Sequence, residues 1–288
     1  MARRAEQVTD AITYHGEGPC WWPGWGGLRW VDLLAGDLLT LRDDGGVDRL
    51  HVGTVAAFVR PRIGGGYVVA LERGLALADA PDAVPEPLPP LWEDADVRMN
   101  DGTCDLDGNL WAGSMAYDGR PGGGDLWRVS PRGEAVRVLP GTTVANGIAF
   151  PADGGPAWFN DSGEGTTSRL APREAGWSQV LPGRLDRSTV LTPDDGVPDG
   201  LVLDAEGCVW TALHGSGRVV RVTPDGRVVE EVVVPPHQVT ACTLGGEDLR
   251  DLWITTSREN LAEPEPEAGA LFRVRVDVPG VPVLPYGG

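Results

Sequence analysis

The sequence predicts an all-β fold, a six-bladed β-propeller with four antiparallel strands in each blade. Three observations lead to this prediction: a high content of turn residues, an aromatic strand motif that recurs six times, and a second two-strand element after most copies. The chain has 288 residues, of which 41 are Gly and 25 are Pro. Gly and Pro mark turns and interrupt long helices, and here they show no period of three, so the content favours many short strands.

The recurring motif is a turn, in most copies rich in glycine, followed by a strand that carries a large aromatic residue. These aromatics are Trp30, Tyr67, Trp111, Trp158, Trp210 and Trp253. Their spacings of 37 to 52 residues are typical of one four-stranded propeller blade. A pair of β-sandwiches would give no reason for one motif to recur six times in phase. We therefore predict a single propeller domain over residues 1–288.

A second element follows most aromatic strands and supplies the outer half of each blade. Its clearest copy, at 217–229, contains a Pro-Asp-Gly turn between two strands of alternating polarity. Related copies lie at 124–133, 36–47 and 269–278, whereas the copy expected at 168–180 is degraded. The Pro-rich stretch 81–90 is predicted to be a loop between strands, because the repeat phase continues across it.

The charge balance excludes several function classes. The formal net charge is −18, and all 24 basic residues are Arg, with no Lys. Schiff-base aldolases, pyridoxal-phosphate enzymes and P-loop proteins each need a lysine. A chain with a pI of about 4.5 and no basic block is a poor candidate for binding nucleic acid or an anionic membrane.

Other features bear on the cellular compartment. We see no signal peptide and no apolar run long enough to span a membrane, so a cytoplasmic location is expected. Four separated cysteines, without a C-x-x-C motif, are predicted to be free buried thiols, with disulfides or a structural metal site as the alternative: Cys20, Cys104, Cys208 and Cys242. The sequence gives no indication of the oligomeric state.

Polar residues recur at one depth of the repeat. In a propeller the first strand of each blade lines the central channel, and the equivalent points lie 11 to 13 residues before each aromatic. Four of the six points carry Asn, Asp or Glu: Glu17, Asn100, Asn146 and Asp199. Each is near a glycine, which lets backbone approach a ligand closely. Asn-Gly and Asp-Gly also mark surface turns, but four such residues in phase favour a shared site.

These side chains offer oxygen ligands without His or Cys. Ca²⁺, Mg²⁺ and Mn²⁺ suit such a set best, and Zn²⁺ and Fe²⁺ are also compatible. Two carboxylates and amide oxygens leave positions for water and substrate, as a catalytic metal requires. Arg98 alternates to the same face as Asn100, where it could hold a substrate or pair with an acid. His214 and His237 could face the pocket or be structural, and His15 could support Glu17 or simply end a strand.

The chain resembles the SMP-30/gluconolactonase (regucalcin-like) family of six-bladed propellers over nearly its whole length. The matching stretches are 15–21, 98–102, 105–115, 145–150, 198–201, 210–222 and 240–256. Members of this family are typically metal-dependent enzymes that open sugar lactones. The segment 162–193 departs from the usual blade pattern.

The resemblance implies a role for each residue of the shared site. Glu17, Asn146 and Asp199 would bind one divalent metal, most plausibly Ca²⁺, with Asp199 also the general base. Arg98 and Asn100 would contact substrate. Asp118 falls where the family places a substrate-binding acid, although the segment 116–119 is divergent.

We therefore expect a metal-dependent hydrolase that opens a lactone or related small ester. The metal would polarise the carbonyl, and a water deprotonated by Asp199 or by the metal would attack it. The same site could instead act on a phosphotriester or a secondary-metabolite lactone. A non-catalytic metal-binding propeller is the remaining alternative.

Overall fold

A computed structural model describes residues 3–174 and 176–288. Two short strands at the N-terminus, β1 (Arg3–Arg4) and β2 (Glu6–Gln7), precede six β-sheets. The first strands of the six sheets contact one another in a closed ring, so the sheets are the blades of a propeller around a central channel. The predicted fold is confirmed.

Apart from the outer strands that β1 and β2 add to blades 5 and 6, each blade is an antiparallel sheet whose strands follow the chain from the channel outward. The strands are, in blade 1, β3 (Gly16–Trp22), β4 (Gly27–Asp32), β5 (Asp37–Leu41) and β6 (Val47–His51); in blade 2, β7 (Ala56–Pro61), β8 (Tyr67–Leu71), β9 (Leu75–Ala78) and β10 (Glu86–Pro87); in blade 3, β11 (Val97–Cys104), β12 (Leu110–Ala116), β13 (Gly124–Val129) and β14 (Ala135–Thr142); in blade 4, β15 (Ala145–Ala149), β16 (Ala157–Asp161), β17 (Thr166–Pro172) and β18 (Leu185–Leu191); in blade 5, β19 (Val197–Leu203), β20 (Val209–His214), β21 (Arg218–Val222) and β22 (Val228–Val233); and in blade 6, β23 (Val239–Gly245), β24 (Asp251–Thr256) and β25 (Phe272–Arg275).

In the part of the chain that the structure describes, the helical segments are three single turns of 3₁₀-helix, Pro23–Trp25, Leu33–Ala35 and Trp177–Gln179. Within 3–174 and 176–288, no helix is long and apolar enough to cross a membrane.

The N-terminal strands close the ring. β2 pairs antiparallel with β25, with Glu6 opposite Arg273, and so supplies the fourth strand of blade 6. β1 pairs with β22 in parallel, with Arg3 opposite Val232, and adds a fifth strand to blade 5. The N-terminal segment therefore adds strands to blades 5 and 6, whose other strands come from the C-terminal part of the chain.

The six repeated aromatics lie on the second strand of their blades and are at most 5% exposed. In blade 3, the Trp111 ring lies 5.1 Å from Phe150 and 5.5 Å from Trp177, measured between ring centroids. Burying a side chain of this size stabilises a fold by about 3 to 5 kcal/mol relative to alanine. The repeat therefore marks the core of each blade.

Two segments differ from the sequence-based expectation. The degraded copy at 168–180 covers most of β17 and the connection after it, and β17 pairs with β18 further along the chain. Trp177 in that connection returns to the core at 7% exposure. The Pro-rich stretch 81–90 is not only a loop, because it contains β10, the outer strand of blade 2. Proline is compatible with that edge position, where one side of the strand has no neighbour to bond.

A β-bulge or equivalent register break interrupts the first strand of every blade. The breaks lie between Glu17 and Cys20, Ala56 and Phe58, Met99 and Gly102, Ala145 and Ile148, Pro198 and Leu201, and Val239 and Cys242. Bulges re-aim side chains and bend the strand locally. The recurrent polar residues all lie at or beside these breaks.

The glycines next to the polar residues serve the packing of neighbouring blades. A Cβ on Gly147 would lie 2.6 Å from the backbone nitrogen of Leu201, and one on Gly200 would lie 2.4 Å from the Cβ of Ala241. The expectation that these glycines also let backbone approach a ligand stays a prediction. They let adjacent first strands approach, and this approach brings the polar side chains together.

We expect Gly147→Ala to destabilise the protein by about 2 kcal/mol or more, because β15 and β19 would have to separate. Gly64→Ala is the matched control, since nothing lies within 4 Å of a Cβ built there. Chemical denaturation of both variants measures the difference. Equal stability of the two variants would contradict this account of Gly147.

Candidate active site in the central channel

Four blades each place one predicted polar residue in the central channel. All four are buried: Glu17 on β3 (4% exposed), Asn100 on β11 (8%), Asn146 on β15 (4%) and Asp199 on β19 (6%). Positions 56 and 240, the equivalent points in blades 2 and 6, carry Ala and Thr. The Asn, Asp and Glu side chains therefore come from four of the six blades.

Asn146 is in direct contact with Asp199. The Asn146 Nδ2 donates a hydrogen bond to Oδ1 of Asp199 and another, of 3.0 Å, to Oγ of Ser162. The Asn146 Oδ1 is buried and has no hydrogen-bond partner among the described residues. A buried acceptor left without a partner costs about 1 to 3 kcal/mol. This amide oxygen is thus suited to a ligand that the protein itself does not provide.

Glu17 and Asp199 are carboxylates in an environment that opposes their charge. Burial, followed by the charges of Asp199 and Asp101, raises the pKa of Glu17 well above its ordinary value. Burial and Asp101 also raise the pKa of Asp199. Among the described residues, Oε2 of Glu17 accepts only a local bond of 2.7 Å from the Gly18 N–H. A cation bound here would favour both carboxylates in their ionised forms.

Asp101 is a third buried carboxylate that the sequence analysis missed. It is 6% exposed and directly follows Asn100. In a regular strand, consecutive side chains point to opposite faces, so only one of the two would face the channel. The bulge between Met99 and Gly102 removes that restriction. In the sequence, Asp101 is marked by a polar pair before a glycine, a pattern that is also typical of an ordinary turn.

Arg98 and Asn100 form a connected pair on β11. Arg98 is 6% exposed, and its NH1 donates hydrogen bonds of 2.9 Å to Oδ1 of Asn100 and to the backbone oxygen of Met99. Nδ2 of Asn100 donates to the Ala145 oxygen at 3.1 Å. Burial lowers the pKa of Arg98, with Glu259 the largest opposing influence. The predicted common face of the two residues is confirmed.

Beside Arg98 lies a second group of polar side chains. Nδ1 of His15 is 3.1 Å from Oε2 of Glu259 and 2.8 Å from Oγ of Ser257. Burial and the neighbouring His15 lower the pKa of His214 to about 4. His237 instead pairs with Glu265, and its side chain is 71% exposed. Glu259 was missed because it lies in a loop outside the repeat pattern.

Asp118 lies apart from the buried residues. Its side chain is 62% exposed and pairs with Arg120 at 3.1 Å. The structure therefore does not join Asp118 to the Arg98–Asn100 pair by any contact within the described residues. Its assignment as a substrate-binding acid stays a prediction.

The lowered pKa of His214 predicts a pH-dependent effect on stability. The unfolded chain takes up the proton near pH 6.5 and the folded chain only near pH 4, so this group lowers stability as the pH falls through that window. At pH 4.5, His214→Gln should therefore lose less stability than the wild type, by about 2 kcal/mol. Urea denaturation of both proteins at pH 7 and pH 4.5 measures this. Parallel losses in the two proteins would show that His214 is not buried in its neutral form.

The channel residues fit a divalent cation. Glu17, Asp101 and Asp199 face the positive charges of Arg60 and Arg98, which leaves one surplus negative charge when the acids are ionised. Among the described residues, no cluster of three or more His, Cys, Asp or Glu side chains is arranged to hold a metal ion. The candidate set instead combines two carboxylates with the amide oxygen of Asn146, a donor set suited to hard cations.

All four cysteines are buried free thiols, as predicted. Three of them, Cys20, Cys104 and Cys242, line a cavity in the channel together with Asp101 and Arg60. Glu17, Asn146 and Asp199 do not line this cavity.

Comparisons with known proteins match most of this chain. Residues 15–258 match the model of the SMP-30/Gluconolactonase/LRE-like region. A 6-deoxy-6-sulfogluconolactonase of Pseudomonas putida is 37% identical over 272 residues, covering 92% of each chain. Regucalcin of Danio rerio is 31% identical over 289 residues, covering 95% of each. The crystal structure of a calcium-binding regucalcin from Agrobacterium tumefaciens superimposes with a TM-score of 0.88 at 27% identity, covering 99% of this chain and 97% of that one. The chain belongs to the SMP-30/gluconolactonase family.

Proposed function

We propose that this protein is a divalent-metal-dependent lactonase that hydrolyses a sugar lactone or a related small ester. The observation that carries the proposal is the contact between Asn146 and Asp199, in which the amide oxygen has no partner among the described residues. The activity named for the Pseudomonas putida relative, a sulfogluconolactonase, supports the reaction class.

Glu17, Asn146 and Asp199 would hold the metal. Their all-oxygen chemistry favours Ca²⁺, and the Agrobacterium relative is described as calcium-binding. When bound, the ion would polarise the lactone carbonyl and stabilise the negative charge that develops on its oxygen.

Asp199 is the proposed general base. Burial raises its pKa and thus strengthens its affinity for a proton, while the Asn146 amide fixes its position. Asp199 would take a proton from water as the water oxygen attacks the carbonyl carbon. Cleavage of the ring carbon–oxygen bond then releases an alkoxide, which takes up the proton and leaves a hydroxy acid.

Arg98 and Asn100 are proposed to position the substrate. Arg98 is a buried cation without a carboxylate within 4.0 Å in the described part of the chain. Its guanidinium has more donors than its two bonds from NH1 use, so it can also bind hydroxyl or carbonyl oxygens of a sugar lactone. Asp118 on the exposed turn would reach only substrates that extend from the channel.

The experiment is a comparison of hydrolysis rates for gluconolactone, a hydrophobic lactone and a phosphotriester by the purified metal-loaded protein. We expect the sugar lactone to have the highest kcat/KM. Faster turnover of the phosphotriester or the hydrophobic lactone would reassign the substrate class. No turnover of any ester, with metal bound, would favour a non-catalytic binding propeller.

A further inference from the structure

Residues 279–288 form a strap across one end of the central channel. The strap begins at blade 6, where the Gly280 N–H donates to the Leu249 oxygen at 2.7 Å. It ends at blade 3, on the opposite side of the ring, where the Gly287 N–H donates to the Gly108 oxygen at 2.9 Å. Leu249 and Gly108 follow the first strands of their blades, so the strap crosses the channel at the end where these strands finish.

Tyr286 anchors the strap at its far end. Its side chain is 2% exposed and belongs to a core cluster with residues of blades 1 to 3. Its N–H donates to the Pro61 oxygen at 2.7 Å, its carbonyl accepts the Ile63 N–H at 2.8 Å, and its hydroxyl donates to the Ser130 oxygen at 2.8 Å. Main-chain bonds and a buried ring thus hold this one residue to blades 2 and 3.

The part of the strap that crosses the channel is held less firmly than its two ends. Within the described residues, no backbone–backbone hydrogen bond involves residues 281–285. Pro282 and Pro285 have no N–H to donate, and Pro282 is exposed. Segments with few hydrogen bonds and little burial open at a lower free energy than the core strands around them. The crossing is therefore suited to release without unfolding of the blades.

The strap closes the cavity that contains the three channel thiols. Residues 281–284 line this cavity on the strap side. Three buried thiols line it from the first strands of blades 1, 3 and 6: Cys20, Cys104 and Cys242. On β3 and β19 the lining residues come after Glu17 and Asp199 in the sequence, so the cavity lies further along the channel than these proposed metal ligands. The strap thus separates the thiols from solvent at the other end of the channel.

We propose that residues 279–288 are a detachable plug of the channel. The end that carries Tyr286 releases as a unit while the six blades stay folded, and its release opens the thiol cavity to solvent and small reagents. The opening lies at the end of the channel opposite the proposed metal ligands. This release does not require the lactonase activity.

The test is the rate at which the cavity thiols of the whole chain react with a chromogenic aromatic disulfide. Cys208 does not line the cavity, so the measurement is made in a Cys208→Ser background, in which the cavity thiols alone remain. Release of the strap exposes little surface, and the rate should therefore hardly change with urea below the unfolding transition. Exposure by global unfolding would instead make the rate rise steeply with urea.

Tyr286→Ala should speed the thiol reaction by at least about a hundredfold, because a large buried side chain no longer holds the strap closed. Tyr286→Phe loses only the hydroxyl bond to Ser130 and should speed the reaction about fivefold. The phenylalanine variant also serves as the test if the alanine variant does not fold.

Phe272→Leu is the matched control. Phe272 is 0% exposed on β25, outside the strap, so its substitution should lower the stability of the whole fold in urea denaturation. The thiol rate at low urea should nevertheless stay within about twofold of the wild type, since the strap opens independently of the core.

Three results would overturn the inference. If Phe272→Leu speeds the reaction as much as Tyr286→Phe, with a steep dependence on urea, then the thiols are exposed only by global unfolding. If the thiols stay unreactive in folded Tyr286→Ala, the strap does not detach. If the wild-type thiols react as fast as free cysteine, the strap does not close the cavity.

Discussion

Asp199→Asn should lower kcat for lactone hydrolysis by about a thousandfold, while the fold stays intact. General-base catalysis contributes about 10² to 10⁴ in rate, and the amide cannot accept the proton from water. The substitution also removes one of two charges from the proposed ligand set, so part of the loss should come from weaker metal binding. Steady-state kinetics at saturating metal separates the two contributions, because excess metal restores occupancy but not the base.

Asp161→Asn is the control for a general effect of losing a buried acid. Asp161 is 0% exposed, and its carboxylate accepts the N–H groups of Thr143 and Val144 at 3.0 and 2.9 Å. Its role is to hold the backbone that leads into β15, so its loss should reduce stability and leave kcat within a few-fold of the wild type. If Asp199→Asn hydrolyses lactones at the wild-type rate with metal bound, then Asp199 is not the base.

The sequence allowed the ring of blades and four of the channel residues to be predicted because both follow from one period. Asn100, for example, lies 11 residues before Trp111, and the equivalent separation in the other blades is 11 to 13 residues. A periodic pattern shows which strand a residue is on and how deep it lies in the channel. The strand and the depth together are sufficient to predict that Glu17, Asn146 and Asp199 lie in one group.

The residues that sequence analysis missed are those that do not follow the period. Asp101 faces the channel only because a bulge cancels the alternation of the strand. Glu259 comes from a loop and meets His15 from the far end of the chain. Strand β1 adds to blade 5 by parallel pairing, which no local pattern in Arg3–Arg4 indicates. Each case depends on contacts between distant segments, which repeat phase does not encode.

Removal of metal by a chelator should reduce lactone hydrolysis at neutral pH by at least about a hundredfold, the loss expected when several kcal/mol of charge stabilisation disappear. Two effects add. The carbonyl is no longer polarised, and Asp199 becomes more protonated because burial and Asp101 raise its pKa when no cation opposes them. Residual activity of the chelated protein should therefore increase as the pH rises, since deprotonation restores the base.

The pH profile distinguishes this account from a purely structural metal. With metal bound, ionised Asp199 should persist to lower pH, so the acid limb of the rate profile should lie at lower pH than in the chelated protein. Removal of a structural metal would instead lower the melting temperature and leave the acid limb of the surviving activity at the same pH.

Stoichiometric return of Ca²⁺ or Mn²⁺ should restore both the rate and the profile. Glu17→Gln should bind either ion more weakly and need excess metal for the same recovery. Full activity in chelator, with no metal detected by elemental analysis, would show that the channel carboxylates hydrolyse the lactone without a cation.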